Sequence, residues 1–152
     1  MDKNYKFFFL ALLLSFISMY LITYLNSASL SHVYFSLTRF YMATIMICAM
    51  ALVMLFTMSS MYKDKNLNNL IVVSAVLLSI AALVLVRTQT PVDDALYMEA
   101  MIPHHSIAIL TSEQASISDP EVRELADNIT ETQKREIALM KHLLEKIEGG
   151  AD

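Results

Sequence analysis

The first half of the chain consists of long apolar stretches separated by short polar segments. Three stretches contain no Asp, Glu, Lys or Arg, and they cover residues 7–25, 40–62 and 70–86. A helix needs roughly 17 to 25 apolar residues to cross the hydrocarbon core of a bilayer. The pattern therefore predicts three transmembrane helices at these positions.

The pattern changes beyond the third stretch, where polar residues and helix-start signals appear. Thr90 precedes Pro91 and two aspartates, which predicts Thr90 as a helix cap and Pro91 as the first helical residue. Residues 118–121 repeat this arrangement. We predict two helices over 91–116 and 120–147, and the short turn between them makes the helices antiparallel.

Each helix of this hairpin carries a stripe of side chains at helical spacing. The second stripe is apolar apart from Gln133 at its centre and Glu136 at its edge, and Gly149 and Gly150 end that helix. The first stripe is unusually polar for an inner face. Its predicted members are Asp94, Met98, Met101, His105, Ala108 and Ser112, and those of the second are Val122, Ala126, Ile129, Ile137, Met140, Leu144 and Ile147.

These elements predict an all-α fold with two domains. Residues 1–87 form a membrane domain of three helices, and residues 88–152 form a two-helix antiparallel hairpin. A lone hairpin buries its apolar stripes poorly, whereas two hairpins make a four-helix bundle. We therefore expect a homo-oligomer, most simply a dimer.

Charge divides the chain at the same place. Residues 1–90 carry six Lys or Arg against two Asp or Glu, a net charge of +4, whereas residues 91–152 carry five against thirteen, a net charge of −8. Phosphate binding needs clustered Lys and Arg, so the acidic hairpin excludes nucleic acid as a partner. An acidic surface suits cations.

The flanking lysines predict the orientation of the three helices. Lys3 and Lys6 precede the first, and Lys63 and Lys65 lie between the second and third. The positive-inside rule then places the N-terminus in the cytoplasm and the hairpin outside it. We expect the lipid bilayer between them to be the inner (plasma) membrane of a bacterial cell. The first stretch is either a cleaved signal peptide or an uncleaved anchor, and the absence of a small-residue cleavage site favours the anchor.

The polar stripe carries candidate metal ligands. In an antiparallel hairpin, the first helix near Met101 faces the second near Gln133, so several donors converge. Imidazole and thioether together favour copper, with thioether favouring the cuprous state. Pro103 removes a backbone hydrogen bond and predicts a kink beside the histidine pair. The alternative is a polar core layer without metal. The candidate ligands are Asp94, Met98, Met101, His104, His105, Gln133, Glu136 and Met140.

Residues 93–144 resemble the domain-of-unknown-function 305 family, through Met101-Ile102-Pro103-His104-His105 and through Gln133, Glu136 and Met140. The first half resembles a membrane-anchored subgroup of it. The family is counted among ferritin-like helical folds, and some members are periplasmic copper-binding proteins associated with copper tolerance. The resemblance implies copper contacts at Met101, His104, His105 and Met140, with Asp94, Gln133 and Glu136 in support. The family often places Met where this chain has Thr111.

Other residues offer weaker signals. Met42, Met46, Met50, Met54 and Met58 recur every four residues in the second span, as a thioether track or as flexible packing. His32 lies in the first loop and either completes the site or is an ordinary loop residue. His142 is predicted on the surface.

These features predict a metal-binding membrane protein, most simply for copper tolerance or homeostasis. We expect no enzyme, because the Glu-x-x-His pairs of a di-iron oxidase and the Ser/His/Asp grouping of a hydrolase are absent from the sequence. The alternative is a structural protein whose hairpin assembles helix bundles without metal.

Overall fold

The computed structural model describes residues 2–149, and all regular structure within them is helical. The predicted all-α class is confirmed. A short 3-10 turn at Leu30–His32 lies between the first two helices. The five α-helices are α1 Lys3–Ile22, α2 Leu37–Thr57, α3 Lys65–Thr88, α4 Asp94–Gln114 and α5 Pro120–Gly149.

The three helices α1, α2 and α3 are long and apolar enough to cross a membrane. Their bounds differ from those of the predicted uncharged stretches, because a helix can continue through polar residues at its ends. Thus α1 starts before Phe7 and α3 starts before Leu70. The start of α3 is set by Asp64, whose Oδ1 accepts hydrogen bonds of 3.0 Å from the backbone N–H groups of Asn66 and Leu67.

The second span ends earlier than predicted, at Thr57 rather than at residue 62. Residues 58–61 instead form a turn, in which the N–H of Met61 donates to the carbonyl of Met58 at 2.9 Å. This turn delivers Tyr62 to a buried position against Tyr5, with ring centroids 5.4 Å apart.

A clasp built around Tyr5 joins the start of α1 to the start of α3. The Tyr5 hydroxyl lies 2.8 Å from Oδ1 of Asn68 and accepts a hydrogen bond of 3.1 Å from the N–H of Asp64. Asn68 in turn donates to the carbonyl of Tyr62 at 2.8 Å. The aromatic ring of Tyr5 is buried with Phe8, so the clasp combines apolar packing with satisfied polar groups.

The methionines of α2 change their exposure along the helix, as a four-residue spacing requires. Met42 and Met46 are exposed, and Met54 is partly buried against the core around Phe8. The buried face of α2 belongs to other residues, among them Cys48 and Leu55.

The helix starts in the second half differ from each other. Asp93, and not Thr90, caps α4, because its Oδ1 accepts a hydrogen bond of 2.9 Å from the N–H of Leu96. Pro91 accordingly lies before the helix, so this part of the prediction was wrong. At α5 Asp119 takes the predicted capping role and bonds the N–H groups of the next turn at 2.9 and 3.1 Å. Gly149 is the last helical residue, and Gly150 lies outside the described residues.

The chain forms two compact units. One contains the three spans, residues 1–23 and 38–91. The other contains the hairpin from Val92 onward together with residues 24–37. Residues 24–36, which connect α1 to α2, are called the strap below.

Candidate metal centre

The core of the hairpin unit lies between α4 and α5. It is built from Met98, Ile102 and Ile109 of α4 with Ile137 and Leu144 of α5, and all five are buried. These positions recur at helical spacing on both helices, which buries one continuous apolar seam. The predicted pairing of α4 with α5 as an antiparallel hairpin is confirmed.

The buried face of α4 differs from the stripe expected from the sequence. Of that stripe only Met98 is buried, whereas Asp94 is exposed and Met101 and His105 are half-buried. The true buried face is rotated from it by about 100°, one residue position on the helix. The buried residues of α4 are Met98, Ile102, Pro103, Ser106 and Ile109.

The strap accounts for this rotation, because it covers one side of α4. Ser106 is fully buried, accepts a hydrogen bond of 2.8 Å from the N–H of Ala28, and lies 2.9 Å from Nδ1 of His32. Tyr34 packs against the hairpin core, and Nζ of Lys141 in α5 donates to Ser31 at 3.3 Å. The strap is therefore an integral part of the hairpin unit.

His32 takes part in this contact between the strap and the hairpin. Burial, and then the charge of Lys141, hold the pKa of the His32 imidazole below its usual value of 6.5. A lowered pKa means that the folded strap prefers neutral His32. Its contribution to stability is then complete above pH 6.5 and is lost as the pH falls through the lower, folded pKa.

We therefore expect the strap to loosen as the pH falls below 6.5. Hydrogen exchange of the strap amides in the full-length chain, corrected for intrinsic exchange rates, should accelerate over this range. A His32→Asn variant should lose this pH dependence. An unchanged dependence in the variant would contradict the assignment.

His105 lies on the other, open side of α4. Its Nδ1 is buried and lies 3.0 Å from Oε2 of Glu136 in α5, although the approach does not have hydrogen-bond geometry. The Glu136 side chain is 44% exposed, so the pair borders solvent. A buried imidazole nitrogen without a hydrogen-bond partner is uncommon, and here it faces the Glu136 carboxylate.

The two neighbouring histidines do not point to one place. His104 is exposed, and its ring centroid is 6.2 Å from that of His105 with the planes at 62°. Adjacent residues project about 100° apart on a helix. His142 is exposed on α5, as predicted.

A cleft on the same open side of the hairpin brings together three further candidates. It has a volume of about 390 Å³ and is lined by Asp94 and Met98 of α4 and by Met140 of α5. Met101, one turn before His105, is half-buried, as is Gln133. The remaining lining is apolar and consists of Tyr97, Leu139, Leu143 and Ile147.

The candidates thus lie along one open flank of the hairpin rather than in a single layer. Met98 and His105 are seven residues apart, about 10 Å along the helix axis. Within residues 2–149 no group of three or more His, Cys, Asp or Glu side chains is placed to hold a metal ion. The donors that share the cleft are instead two thioethers and one carboxylate.

Two other residues of α4 bear on the site. The hydroxyl of Thr111 bonds the carbonyls of Ile107 and Ala108 at 3.0 and 3.2 Å, so it is occupied within its own helix. Glu99 has a pKa raised above 4.5 by burial, and further by Glu148 and Asp93. The carboxylates around the start of α4 therefore repel one another, which favours a cation in this region.

The residues that hold the strap were not predicted from the sequence. Ser106 was unremarkable because a serine in a helix usually faces solvent or bonds its own backbone. Its partners Ala28 and His32 are more than 70 residues away in the sequence. The available signal was the run of three polar residues from His104 to Ser106 between apolar residues of α4.

Two comparisons with known proteins gave matches. The family described as Domain of unknown function (DUF305) matches residues 94–151, a range that includes α4, the turn and α5. An uncharacterized protein of Acanthamoeba polyphaga mimivirus is 30% identical over 146 residues, covering 94% of this chain and 94% of the relative. This second match covers most of the chain and therefore extends well beyond residues 94–151. No solved structure matches the chain.

Proposed function

This chain belongs to the family described as Domain of unknown function (DUF305), and from that premise we propose that it is a membrane-anchored copper-binding protein. The hairpin holds cuprous ion, and the spans hold the hairpin at the membrane. The role that follows is copper tolerance or homeostasis, without catalysis.

The observation that carries the proposal is the pair of thioethers in one cleft. Met98 and Met140 come from different helices and line the same cavity, beside the carboxylate of Asp94. Methionine is often a core filler, but here the cleft leaves Met140 only partly buried and therefore accessible. Thioethers are soft donors, which bind cuprous copper and disfavour hard cations.

The donor set along the flank fits copper better than zinc. Zinc sites use three or four His, Cys, Asp or Glu ligands, and residues 2–149 offer no such group. The imidazole of His105 lies about two turns farther along the same flank, so it supports the thioether site without sharing its cleft. Bound copper would be kept in the cuprous state by these ligands. Met101 and His104 border the flank, and Gln133 and Glu136 support it from α5.

We expect the full-length chain in lipid nanodiscs to bind cuprous ion under reducing conditions, measured by competition with a chromogenic chelator. Replacing Met98 and Met140 together with Leu removes both sulfurs while conserving volume. This should weaken binding by at least about tenfold, equivalent to ~1.4 kcal/mol.

The matched control is the double replacement of Met42 and Met46 with Leu in α2, which should leave affinity unchanged. Equal weakening by both pairs would show that the ion is not held in the hairpin. Replacing His105 with Ala should weaken binding more than replacing the exposed His104 with Ala. An absence of binding by the unmodified chain would overturn the proposal.

We also propose that the chain is a multi-pass protein of the inner (plasma) membrane, with its N-terminus in the cytoplasm and the hairpin outside. Large apolar side chains face outward from the three spans, including Phe7, Phe56 and Leu70, which are 58%, 85% and 62% exposed. Such surfaces are unfavourable in water and suit lipid.

The orientation can be measured because Cys48 is the single cysteine. In a Cys48→Ser background, Glu131→Cys should react with a membrane-impermeant thiol reagent on intact cells. Lys63→Cys should react only after permeabilisation. The reverse pattern would overturn the orientation.

A second function is supported by the apolar residues left open on the hairpin. Tyr97 and Leu139 are both 55% exposed, and Leu143 and Ile147 lie beside them. In this alternative the flank is covered by a second copy of the chain, with or without metal, to complete a four-helix bundle. Native mass spectrometry of the full-length chain should then give dimers that Leu139→Lys disrupts. A monomer throughout would exclude this alternative.

A further inference from the structure

The strap exposes most of its large apolar side chains. Leu30, in the short 3-10 turn, is 91% exposed, Leu25 is 80% exposed and Val33 is 43% exposed. An isolated exposed apolar residue is normal on a protein surface. With Phe35, which is 49% exposed, the strap carries four such residues, and four on one short segment indicate a contact surface.

Several polar contacts of the strap are with the hairpin. Ala28 and His32 contact the buried hydroxyl of Ser106, and Tyr34 packs into the hairpin core. Ser31 bonds Lys141. The strap is therefore fixed to α4 and α5 by these residues, whereas Leu25, Leu30 and Val33 remain exposed.

The strap has no formal charge and is connected directly to two spans. Residues 24–36 contain no Asp, Glu, Lys or Arg, although the hairpin from residue 91 is strongly acidic. Burial, and then the charge of Lys141, lower the pKa of its histidine below 6.5. One end of the strap follows α1 at Ile22, and the other leads into α2 at Leu37. Both ends thus enter helices that are long and apolar enough to span a bilayer.

We propose that Leu25, Leu30 and Val33 insert into the headgroup boundary of the lipid bilayer and hold the hairpin unit at the membrane surface. The proposal rests on the membrane anchoring proposed above and is independent of copper. Chain connectivity identifies the lipid as the partner, because a segment that joins two spans lies at the interface where they emerge. Uncharged residues with tyrosines and aliphatic side chains are favoured there.

The chain contains no Trp, so one introduced Trp reports its own surroundings. We would reconstitute the full-length Leu30→Trp variant in phosphatidylcholine vesicles. Bromine atoms would be placed either near the carbonyl end or near the methyl end of the acyl chains. Leu30→Trp should show blue-shifted emission and be quenched most strongly by bromine near the carbonyl end.

Two matched variants distinguish the outcomes. Leu77→Trp, at an exposed position in the middle of α3, should be quenched most by bromine near the methyl end. Leu125→Trp, exposed on α5, should be unquenched and emit as in water. Quenching of Leu77→Trp without quenching of Leu30→Trp would overturn the strap proposal but not the membrane anchoring. If the emission of Leu30→Trp were blue-shifted yet unquenched, protein rather than lipid would cover the strap, and the strap proposal would again be overturned.

Two further results would count against the proposal. If neither Leu77→Trp nor Leu30→Trp were quenched, membrane anchoring would fail and the strap proposal with it. Equal quenching of Leu30→Trp and Leu125→Trp would show general adsorption of the hairpin, and would remove the specific role of the strap.

Discussion

Replacing Ile102 with Ala is expected to destabilise the hairpin unit by about 2 to 5 kcal/mol, the range for truncating a fully buried aliphatic side chain. Ile102 is completely buried at the centre of the core between α4 and α5. The smaller side chain loses apolar contacts and leaves a cavity that two paired helices cannot fully close. The loss is a large share of the stability of a unit this small.

The measurement is hydrogen exchange of the α4 and α5 amides in the full-length chain, because exchange resolves the hairpin from the spans. Exchange through unfolding of the unit should accelerate by roughly 30-fold or more, at tenfold per ~1.4 kcal/mol. The control is Leu139→Ala on the exposed flank, which should change stability by less than about 0.5 kcal/mol. Similar exchange in both variants would contradict the assigned core.

Replacing Ser106 with Ala is expected to release the strap from the hairpin. The hydroxyl is the hydrogen-bond partner of the Ala28 N–H and of Nδ1 of His32, at 2.8 and 2.9 Å. Alanine removes the hydrogen-bond partner that both groups share, and the loss of one intramolecular hydrogen bond costs about 0.5 to 1.5 kcal/mol. Amides of the strap should exchange faster, whereas those of α5 should change much less.

Thr111→Ala is the control for this variant, since that hydroxyl is exposed and bonds only carbonyls of its own helix. It should leave the strap protected. Faster exchange throughout the unit after Ser106→Ala would mean that the serine supports the core rather than the strap. Unchanged exchange everywhere would remove its role altogether.

The spans and the hairpin were predictable because their signals are local. A run of uncharged apolar residues specifies a long apolar helix whatever surrounds it, and Asp119 caps α5 through residues next to it in the sequence. Thr90 was mistaken for a cap because two candidate caps stand three residues apart. Asp93 bonds the helix N–H instead, and the helix starts after it.

The candidate metal centre was less predictable, because its orientation depends on a distant segment. Helical spacing alone placed His105 and Asp94 on the inner face of α4. In the structure the strap covers the side of α4 around Ser106, and the buried face of α4 is centred near Ile102. No periodic pattern marks the strap, and its contacts with α4 join residues far apart in the sequence. The ligand candidates consequently lie on a flank that is open in the single chain.

The clasp at Tyr5 has a consequence for how the chain is made. Synthesis proceeds from the N-terminus, so α1 leaves the ribosome well before Asn68, which lies 63 residues after Tyr5 and bonds its hydroxyl. Tyr62, whose ring packs against that of Tyr5, is also translated well after α1. The Tyr5 side chain of α1 therefore lacks these contacts until the beginning of α3 has been translated. A nascent chain stalled between α2 and α3 would leave this end of α1 without the partners that cover it in the full-length chain.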